Sequence, residues 1–414
     1  MDKIKIGVIG LGGRGFSMLK HIILKMDNCE VVALCDVYED RIERAAEKVR
    51  EAQGTEPYTS TDFNDVIANG GMDAVYVASS WESHIEVSIA ALNAGISVAC
   101  EVGGAYNLEE LYELVRAART STGKFMFMEN CCFGKAELLA TSMVRAGKLG
   151  RIVHCAGAYS HDLRQEVAEG NIKRHYRLRN YMLRNTENYP THDLGPIAKL
   201  LNINRGNRML SLVSVASCSH GIKEYIENTK LYEEDPALKN AEFAQGDIVT
   251  TIITCAGGET ITLRLDTSLP RFYNREFTVR GTKGMYEQGC NVFFFDGMNG
   301  EIDAPKFYKE NFDNAKEYEK DYLPRQWSAL TPEEIKKGHG GMDYIMFRTF
   351  VDCLLEGREM PIDVYDAAAW MSVSVLAAES IEKGGAPVAI PDFTEGKWTI
   401  RKSADVLPLP RPEN

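Results

Sequence analysis

The chain has no run of about eighteen apolar residues, so no segment reads as a membrane-spanning helix. It also shows no export signal. The apolar run at 6–9 is too short for a signal-peptide core, and no small-residue cleavage site follows it. Basic charge is scarce: 47 Lys and Arg stand against 59 Asp and Glu, a formal net charge of -12. Nucleic acid as a partner needs a basic footprint, so that class is excluded. The ten cysteines show no C-x-x-C spacing and the eight histidines no H-x-x-x-H, which argues against a zinc site. Free thiols and a cytoplasmic location are expected, with no metal and no membrane contact. No internal repeat is visible. What remains is a globular balance, 44% hydrophobic and 26% charged, in 414 residues, too many for one ordinary core and enough for two domains.

The first third alternates short apolar runs with longer amphipathic ones. Strands are expected at 4–9, 30–36, 73–78, 97–101 and 125–129, and helices at 14–26, 39–52, 84–94 and 108–120. That alternation gives a parallel sheet covered on both faces. After Gly150 the runs lengthen and follow one another directly, at 151–159, 209–218, 247–255, 259–267, 274–280 and 291–295. Gly257-Gly258 between two of them marks a hairpin, and a mostly antiparallel sheet follows. Two apolar helices are expected at 342–356 and 364–383, and Pro410 and Pro412 suggest a loose tail. The fold class is therefore α/β at the N-terminus and α+β with an open, mostly antiparallel sheet beyond. The expected boundaries are 1–135 for the first domain, 136–400 for the second and 401–414 for the tail.

Gly10-Leu11-Gly12-Gly13-Arg14-Gly15 is a G-x-G-x-x-G stretch placed between a strand and a helix. The first glycine permits the tight turn, the second lets backbone approach a pyrophosphate, and the third lets helix and strand pack closely. The helix start adds amide donors and partial positive charge. Asp36 ends the second strand, where a carboxylate takes both ribose hydroxyls and repels a 2'-phosphate. A Rossmann domain binding NAD in preference to NADP is the reading, with Arg41 nearby as the counter-argument.

This half followed by an open-sheet domain resembles the Gfo/Idh/MocA oxidoreductases. Ser79-Ser80-Trp81-Glu82-Ser83-His84 matches their loop after the third strand, and Glu101-Val102-Gly103 stands where they carry Glu-Lys-Pro, so the lysine of their sugar dehydrogenases is missing. More specific stretches point to one branch. They are Met128-Glu129-Asn130-Cys131-Cys132-Phe133-Gly134, Gly157-Ala158-Tyr159-Ser160-His161-Asp162-Leu163-Arg164 and Asn188-Tyr189-Pro190-Thr191-His192-Asp193-Leu194-Gly195-Pro196. Asn202-Ile203-Asn204-Arg205-Gly206, Gly340-Gly341-Met342-Asp343 and Pro391-Asp392-Phe393-Thr394 follow. Together these resemble glycoside hydrolase family 109, the NAD-dependent α-N-acetylgalactosaminidases, over residues 3–400. Two departures stand out: the family usually has glycine after the motif histidine, where this chain has Asp193, and the segment between Arg164 and Tyr189 is shorter than usual.

The resemblance implies hydrolysis by transient oxidation of the sugar at C3, deprotonation at C2, elimination of the aglycone, water addition and re-reduction, with NAD recycled. It differs from two-carboxylate glycosidases. It implies His192 as base for the C3 hydroxyl, since imidazole titrates near neutrality. It implies Tyr159 as base at C2, a phenol whose pKa must be lowered by a cation or histidine, with His161 beside it. Glu129, His161, Arg177 and Tyr189 bind or orient the sugar by the same analogy, His339 beside Gly340-Gly341 is a further candidate that would close the pocket, and Ser80, Trp81, His84, Glu101 and Asn130 join Gly10 to Gly15 and Asp36 at the cofactor. A small glycoside or oligosaccharide is the implied partner, and a homodimer or tetramer paired through the open sheet is the implied assembly.

Taken one at a time, several of these residues have plainer roles. A histidine at the start of a helix-like run serves as cap or core, a strand-end tyrosine as packing, and Arg177 in the basic run 173–184 as a solvated face, with Tyr176, Arg179 and Tyr181 as competitors for its role. His84 also fits a helix start, and His339 a loop. Cys131 and Cys132 fit packing behind a strand. Two other functions stay open: an NAD-dependent sugar or cyclitol dehydrogenase, in which Asp193 beside His192 matters, and an NAD-bound sensor without turnover.

Overall fold

The computed structural model describes residues 3–69, 71–298, 304–336 and 338–410. They form two compact units. The first ends at Phe133 and takes back Arg325–Ala368, while the second holds Gly134–Pro324 and resumes at Ala369. A single crossing near residue 135 was the sequence expectation; the chain crosses three times, because an apolar helix pattern says nothing about which sheet it will cover. Among the described residues, no helix is long and apolar enough to cross a membrane.

The first unit is built on six parallel strands: β1 (Ile4–Ile9), β2 (Cys29–Cys35), β3 (Tyr58–Ser60), β4 (Ala74–Val77), β5 (Ser97–Cys100) and β6 (Phe125–Phe127). Their order is β3-β2-β1-β4-β5-β6. β4 and β5 are buried at every residue, as strands covered on both faces must be. β3 was not anticipated, because this edge strand is three residues long, polar and largely exposed. The helix Phe63–Asn69 after it was also missed. The helix expected over 14–26 runs only Gly13–His21, with a 3-10 turn at Ile23–Lys25. Strand order reverses between β1 and β4, and the crevice beyond their carboxyl ends is where such sheets bind ligands.

The second unit carries an eight-stranded sheet of β7 (Ile152–Ser160), β8 (Met209–Ala216), β9 (Ile248–Cys255), β10 (Thr260–Asp266), β11 (Thr278–Gly281), β12 (Gly284–Glu287), β13 (Val292–Phe295) and β14 (Val388–Ala389). The order is β13-β12-β11-β7-β10-β9-β8-β14. Among the described residues of this sheet, only the β7–β10 pair is parallel. β12 and β14 are short and escaped the sequence pattern, and the strand expected from 274 begins at Thr278. The Gly257-Gly258 hairpin joins β9 to β10 as expected, with Gly258 at φ 94°.

One face of this sheet carries the helix Thr191–Leu200. Gly157 on β7 permits that approach: a Cβ there would stand 2.9 Å from Asp193 Cβ and 3.2 Å from Ile197 Cδ1. The other face exposes Val215 and Ile252. The C-terminal stretch to residue 410 is docked, which corrects the expectation of a loose tail. Arg145 Nε donates to Asp405 Oδ1 at 3.1 Å, Ser403 Oγ to Asn202 Oδ1 at 2.6 Å, and Val406 and Leu407 are buried. Pro412 lies outside the described residues.

Candidate active site

The glycine-rich turn of the first unit has the geometry its sequence implies. Gly10 sits at φ 93°, and a Cβ on it would stand 2.4 Å from the backbone of Ala78 and Ser79. A Cβ on Gly15 would stand 1.9 Å from the Gly10 carbonyl oxygen, so helix and strand could not close together. Gly12 and Gly13 are different. The nearest atom to a Cβ on Gly12 is Arg41 Nη1 at 3.5 Å, and Gly13 has nothing within 4 Å. That open side exposes the first amides of the helix Gly13–His21, which suits a pyrophosphate. Leu11 N–H donates to Asp36 Oδ2 at 2.7 Å and Tyr38 N–H to Oδ1 at 3.1 Å, so the strand-end acid closes the turn; Arg41 Nη1 lies 3.6 Å from it. A carboxylate has about four acceptor positions, so Asp36 keeps capacity for ribose hydroxyls. The residues fit a dinucleotide.

The loop after β4 is braced rather than free. Ser80 Oγ is 3.4 Å from Ser83 Oγ, and Ser83 Oγ donates to Ser79 Oγ at 2.8 Å. Trp81 is buried, and a Cβ on Gly103 would stand 2.7 Å from its ring. His84 begins the helix His84–Asn93 and is buried, with Nε2 3.1 Å from the Ser79 carbonyl. Burial holds its pKa below 6.5 and keeps the ring neutral.

At the ends of β5 and β6 the polar groups form one network. Tyr76 Oη donates to Glu101 Oε1 at 2.7 Å, and Arg14 Nε donates to the same oxygen at 3.0 Å. Arg14 turns its two amino groups to Asp343, at 2.6 and 3.0 Å. Asn130 Nδ2 donates to Asp343 Oδ1 at 2.8 Å, and His339 Nδ1 lies 2.8 Å from Oδ2. Burial alone would push the Asp343 carboxyl up, but Arg14 and His339 outweigh it and hold the group well below the usual range. Asp343 was not singled out in the sequence, although the Gly340-Gly341-Met342-Asp343 stretch was the signal for it. Glu129 is fully buried, and its Oε1 accepts the Cys131 N–H at 3.0 Å at the turn Asn130–Phe133. Cys131 and Cys132 are buried in that turn.

The second unit collects the remaining candidates. Side chains alternate along β7, so Gly157, Tyr159 and the following His161 share a face. The helix that covers Gly157 carries His192 in its first turn. Tyr159 and His192 rings are therefore 5.3 Å apart, Tyr159 and Tyr189 4.8 Å, and Tyr189 and His192 4.7 Å. The irregular segment before Tyr189 is held by Gln245, whose Nε2 donates to the Thr186 carbonyl at 3.0 Å and whose Oε1 accepts from Asn188. Tyr159 Oη is 3.3 Å from His161 Nδ1. Arg177 is buried, not on a solvated face: it lies 5.0 Å over the Tyr189 ring, with Nε 2.6 Å from Glu166 Oε1.

The expected lowering of the Tyr159 phenol is not found. Burial pushes it up, and the Arg177 charge draws it back without prevailing. His161 moves down, because burial dominates and Arg177 and His192 add to it against Glu166. Three groups here were missed by the sequence reading. Tyr273 stacks edge-on to His161 at 5.2 Å, from a loop between strands with no periodic signal. Glu166 is the partner of Arg177. Glu187 is fully buried, and burial together with the Asp193 charge pushes its carboxyl well up.

Two family models cover nearly the whole chain. One described as the oxidoreductase family, NAD-binding Rossmann fold, matches residues 4–129, and one described as the glycosyl hydrolase 109 C-terminal domain matches residues 133–400. An alpha-N-acetylgalactosaminidase of Tannerella forsythia is 34% identical over 427 aligned positions, which span 98% of this chain and 89% of that protein. Among solved structures, a levoglucosan dehydrogenase in complex with NADH and levoglucosan superposes with a TM-score of 0.69 at 18% identity, over 94% of this chain and 100% of that one. Scyllo-inositol dehydrogenase from Lactobacillus casei, with bound NAD(H) and scyllo-inositol, gives 0.63 at 16% identity over 94% and 99%. At that identity the dehydrogenases share the fold. The glycosidase shares sequence along nearly the full length, and the chain belongs to glycosyl hydrolase family 109.

Proposed function

We propose that this protein is an NAD-dependent glycosidase acting on α-N-acetylgalactosaminides or closely related glycosides, with the cofactor recycled in every turnover. The observation that carries the reading is the cluster of Tyr159, His161, Tyr189 and His192 with Arg177, in a chain that has Val102 where dehydrogenases of this fold carry a lysine. Bound NAD supplies a reversible hydride acceptor, held by Gly10 to Gly15, Asp36, Ser80, Trp81, His84, Glu101 and Asn130. His192 takes the C3 hydroxyl proton as that carbon is oxidised, and returns it on re-reduction. Oxidation at C3 acidifies the C2 proton; Tyr159 removes it, the electron pair left at C2 expels the aglycone from C1, and water adds across C1 and C2 before C3 is reduced again.

A buried phenol is a poor base at rest. His161, held neutral and 3.3 Å from the phenol oxygen, takes the phenol proton as Tyr159 accepts the one from C2. The Arg177 charge favours the phenolate. Tyr189 and Arg177 orient the sugar hydroxyls and the N-acetyl group. The exposed sheet face at Val215 and Ile252 supports a dimer or tetramer.

The experiment is hydrolysis of p-nitrophenyl α-N-acetylgalactosaminide by protein stripped of cofactor, with NAD⁺ added back. Nitrophenol released in molar excess over NAD⁺, without accumulating NADH, is expected. No release from any glycoside, with net NADH formed from a free sugar, overturns the proposal.

A further inference from the structure

Residues from two strand ends, with His339, converge on one carboxylate that the glycine motif does not predict. Both oxygens of Asp343 are saturated: Oδ1 accepts from Arg14 Nη2 and Asn130 Nδ2, and Oδ2 accepts from Arg14 Nη1 and faces His339 Nδ1. The Asp343 side chain is 1% exposed. A buried carboxylate with so many charge-assisted partners cannot serve as a base; its work is to fix the groups around it.

Those groups lie on one side of the sheet. Glu101 follows β5, Asn130 follows β6, and Arg14 opens the helix after β1 and reaches across to both Glu101 and Asp343. Asp36, which closes the turn on the adenosine side, follows β2. In a doubly wound sheet the two halves of a dinucleotide lie over opposite sides of the reversal point. The Asp343 network therefore underlies the nicotinamide side. The segment before it has little stiffness of its own: Gly338, His339, Gly340 and Gly341 are all in the left-handed region, at φ 51°, 48°, 69° and 101°. A non-glycine residue held there needs surroundings that hold it, and the Asp343 contact to the His339 ring supplies this.

We infer that Asp343 is a positioning residue that assembles the nicotinamide half of the cofactor site, holding Arg14, Asn130 and His339 in register while the adenosine half forms without it. This rests on the NAD reading above.

The test is titration calorimetry on the full chain stripped of cofactor, comparing NAD⁺ with ADP, which carries the adenosine and both phosphates but no nicotinamide riboside. In Asp343→Asn the NAD⁺ dissociation constant should rise about 10- to 100-fold while that for ADP stays within about twofold, with an unchanged far-ultraviolet circular dichroism spectrum. Arg14→Gln should show the same split, and the double variant should bind NAD⁺ no more weakly than Asp343→Asn alone. If Asp343→Asn does not fold, the split in Arg14→Gln decides. Equal losses for NAD⁺ and ADP, or no loss for either, overturn the inference. A wild-type chain that binds ADP but not NAD⁺ defeats both this inference and the reading beneath it.

Discussion

Gly157→Ala probes the contact that brings Tyr159 and His192 together. The added methyl would stand 2.9 Å from Asp193 Cβ, 3.2 Å from the Asp193 carbonyl oxygen and 3.2 Å from Ile197 Cδ1. Only the last of these can rotate away. The first two are fixed to the helix Thr191–Leu200, so the helix itself must move by several tenths of an ångström. Overpacking of this kind destabilises by about 1–3 kcal/mol, and the immobile contacts put this case in the upper part of that range. The shift is carried to His192, next to Asp193, and widens its 5.3 Å spacing from Tyr159. A fall in kcat/KM of about tenfold or more is expected from so small a misplacement. NAD⁺ affinity should not change, because Gly157 lies in the second unit.

A second variant gives a sharper test. Asp193→Gly restores the residue usual in the family and deletes the Cβ that the new methyl meets first. Its own cost through helix propensity is below about 1 kcal/mol. In Gly157→Ala/Asp193→Gly the two effects should therefore be less than additive, by about 1 kcal/mol or more in urea denaturation, with partial recovery of kcat/KM. Strict additivity, or a Gly157→Ala variant as stable and active as wild type, would refute the account of how His192 is placed.

Other expectations follow from the same geometry. Tyr159→Phe should lower kcat by about 100-fold or more through loss of the proton-transfer group, with NAD⁺ affinity intact; a near-normal kcat removes Tyr159 from the chemistry. Glu187 has a raised folded-state pKa, so its contribution to stability is full below its unfolded value of 4.5 and is lost as pH rises toward the folded one. Glu187→Gln escapes that loss. Its melting temperature should gain on wild type as pH rises above about 4.5, by up to about 1.4 kcal/mol per pH unit in stability terms. A gap that is constant or shrinks with pH contradicts the burial argument. Light scattering should give a dimer or tetramer, and Ile252→Lys should shift it toward monomer; a monomeric wild type contradicts the role assigned to the exposed sheet face.

The glycine turn and its acid were legible because local backbone demands fix them: Gly10 and Gly15 are the positions where a Cβ meets backbone. The buried parallel strands were legible for the same reason, since burial on both faces leaves a continuous apolar run. Edge elements such as β3 were not, because three exposed polar residues carry no periodicity. The return of Arg325–Ala368 to the first unit was invisible, as an apolar helix face fits either core. At the site, the family resemblance marked Tyr159, Tyr189 and His192, and the structure groups them. The resemblance did not reveal that burial raises the Tyr159 phenol, since a pKa depends on neighbours far apart in sequence. Asp343 and Tyr273 were missed because their contacts, to Arg14 and His161, are made across more than a hundred residues.

The central claim is that the glycosidic bond is broken through removal of the C2 proton, made possible by oxidation at C3. Hydrolysis of p-nitrophenyl α-N-acetylgalactosaminide in D₂O, with the product sugar read by mass spectrometry and proton NMR, tests it directly. Deuterium at C2 of the released sugar, with nitrophenol formed in excess over NAD⁺, is the predicted result. Nitrophenol released with the C2 proton fully retained would mean direct displacement at C1, and would contradict the roles given to Tyr159, His161 and His192.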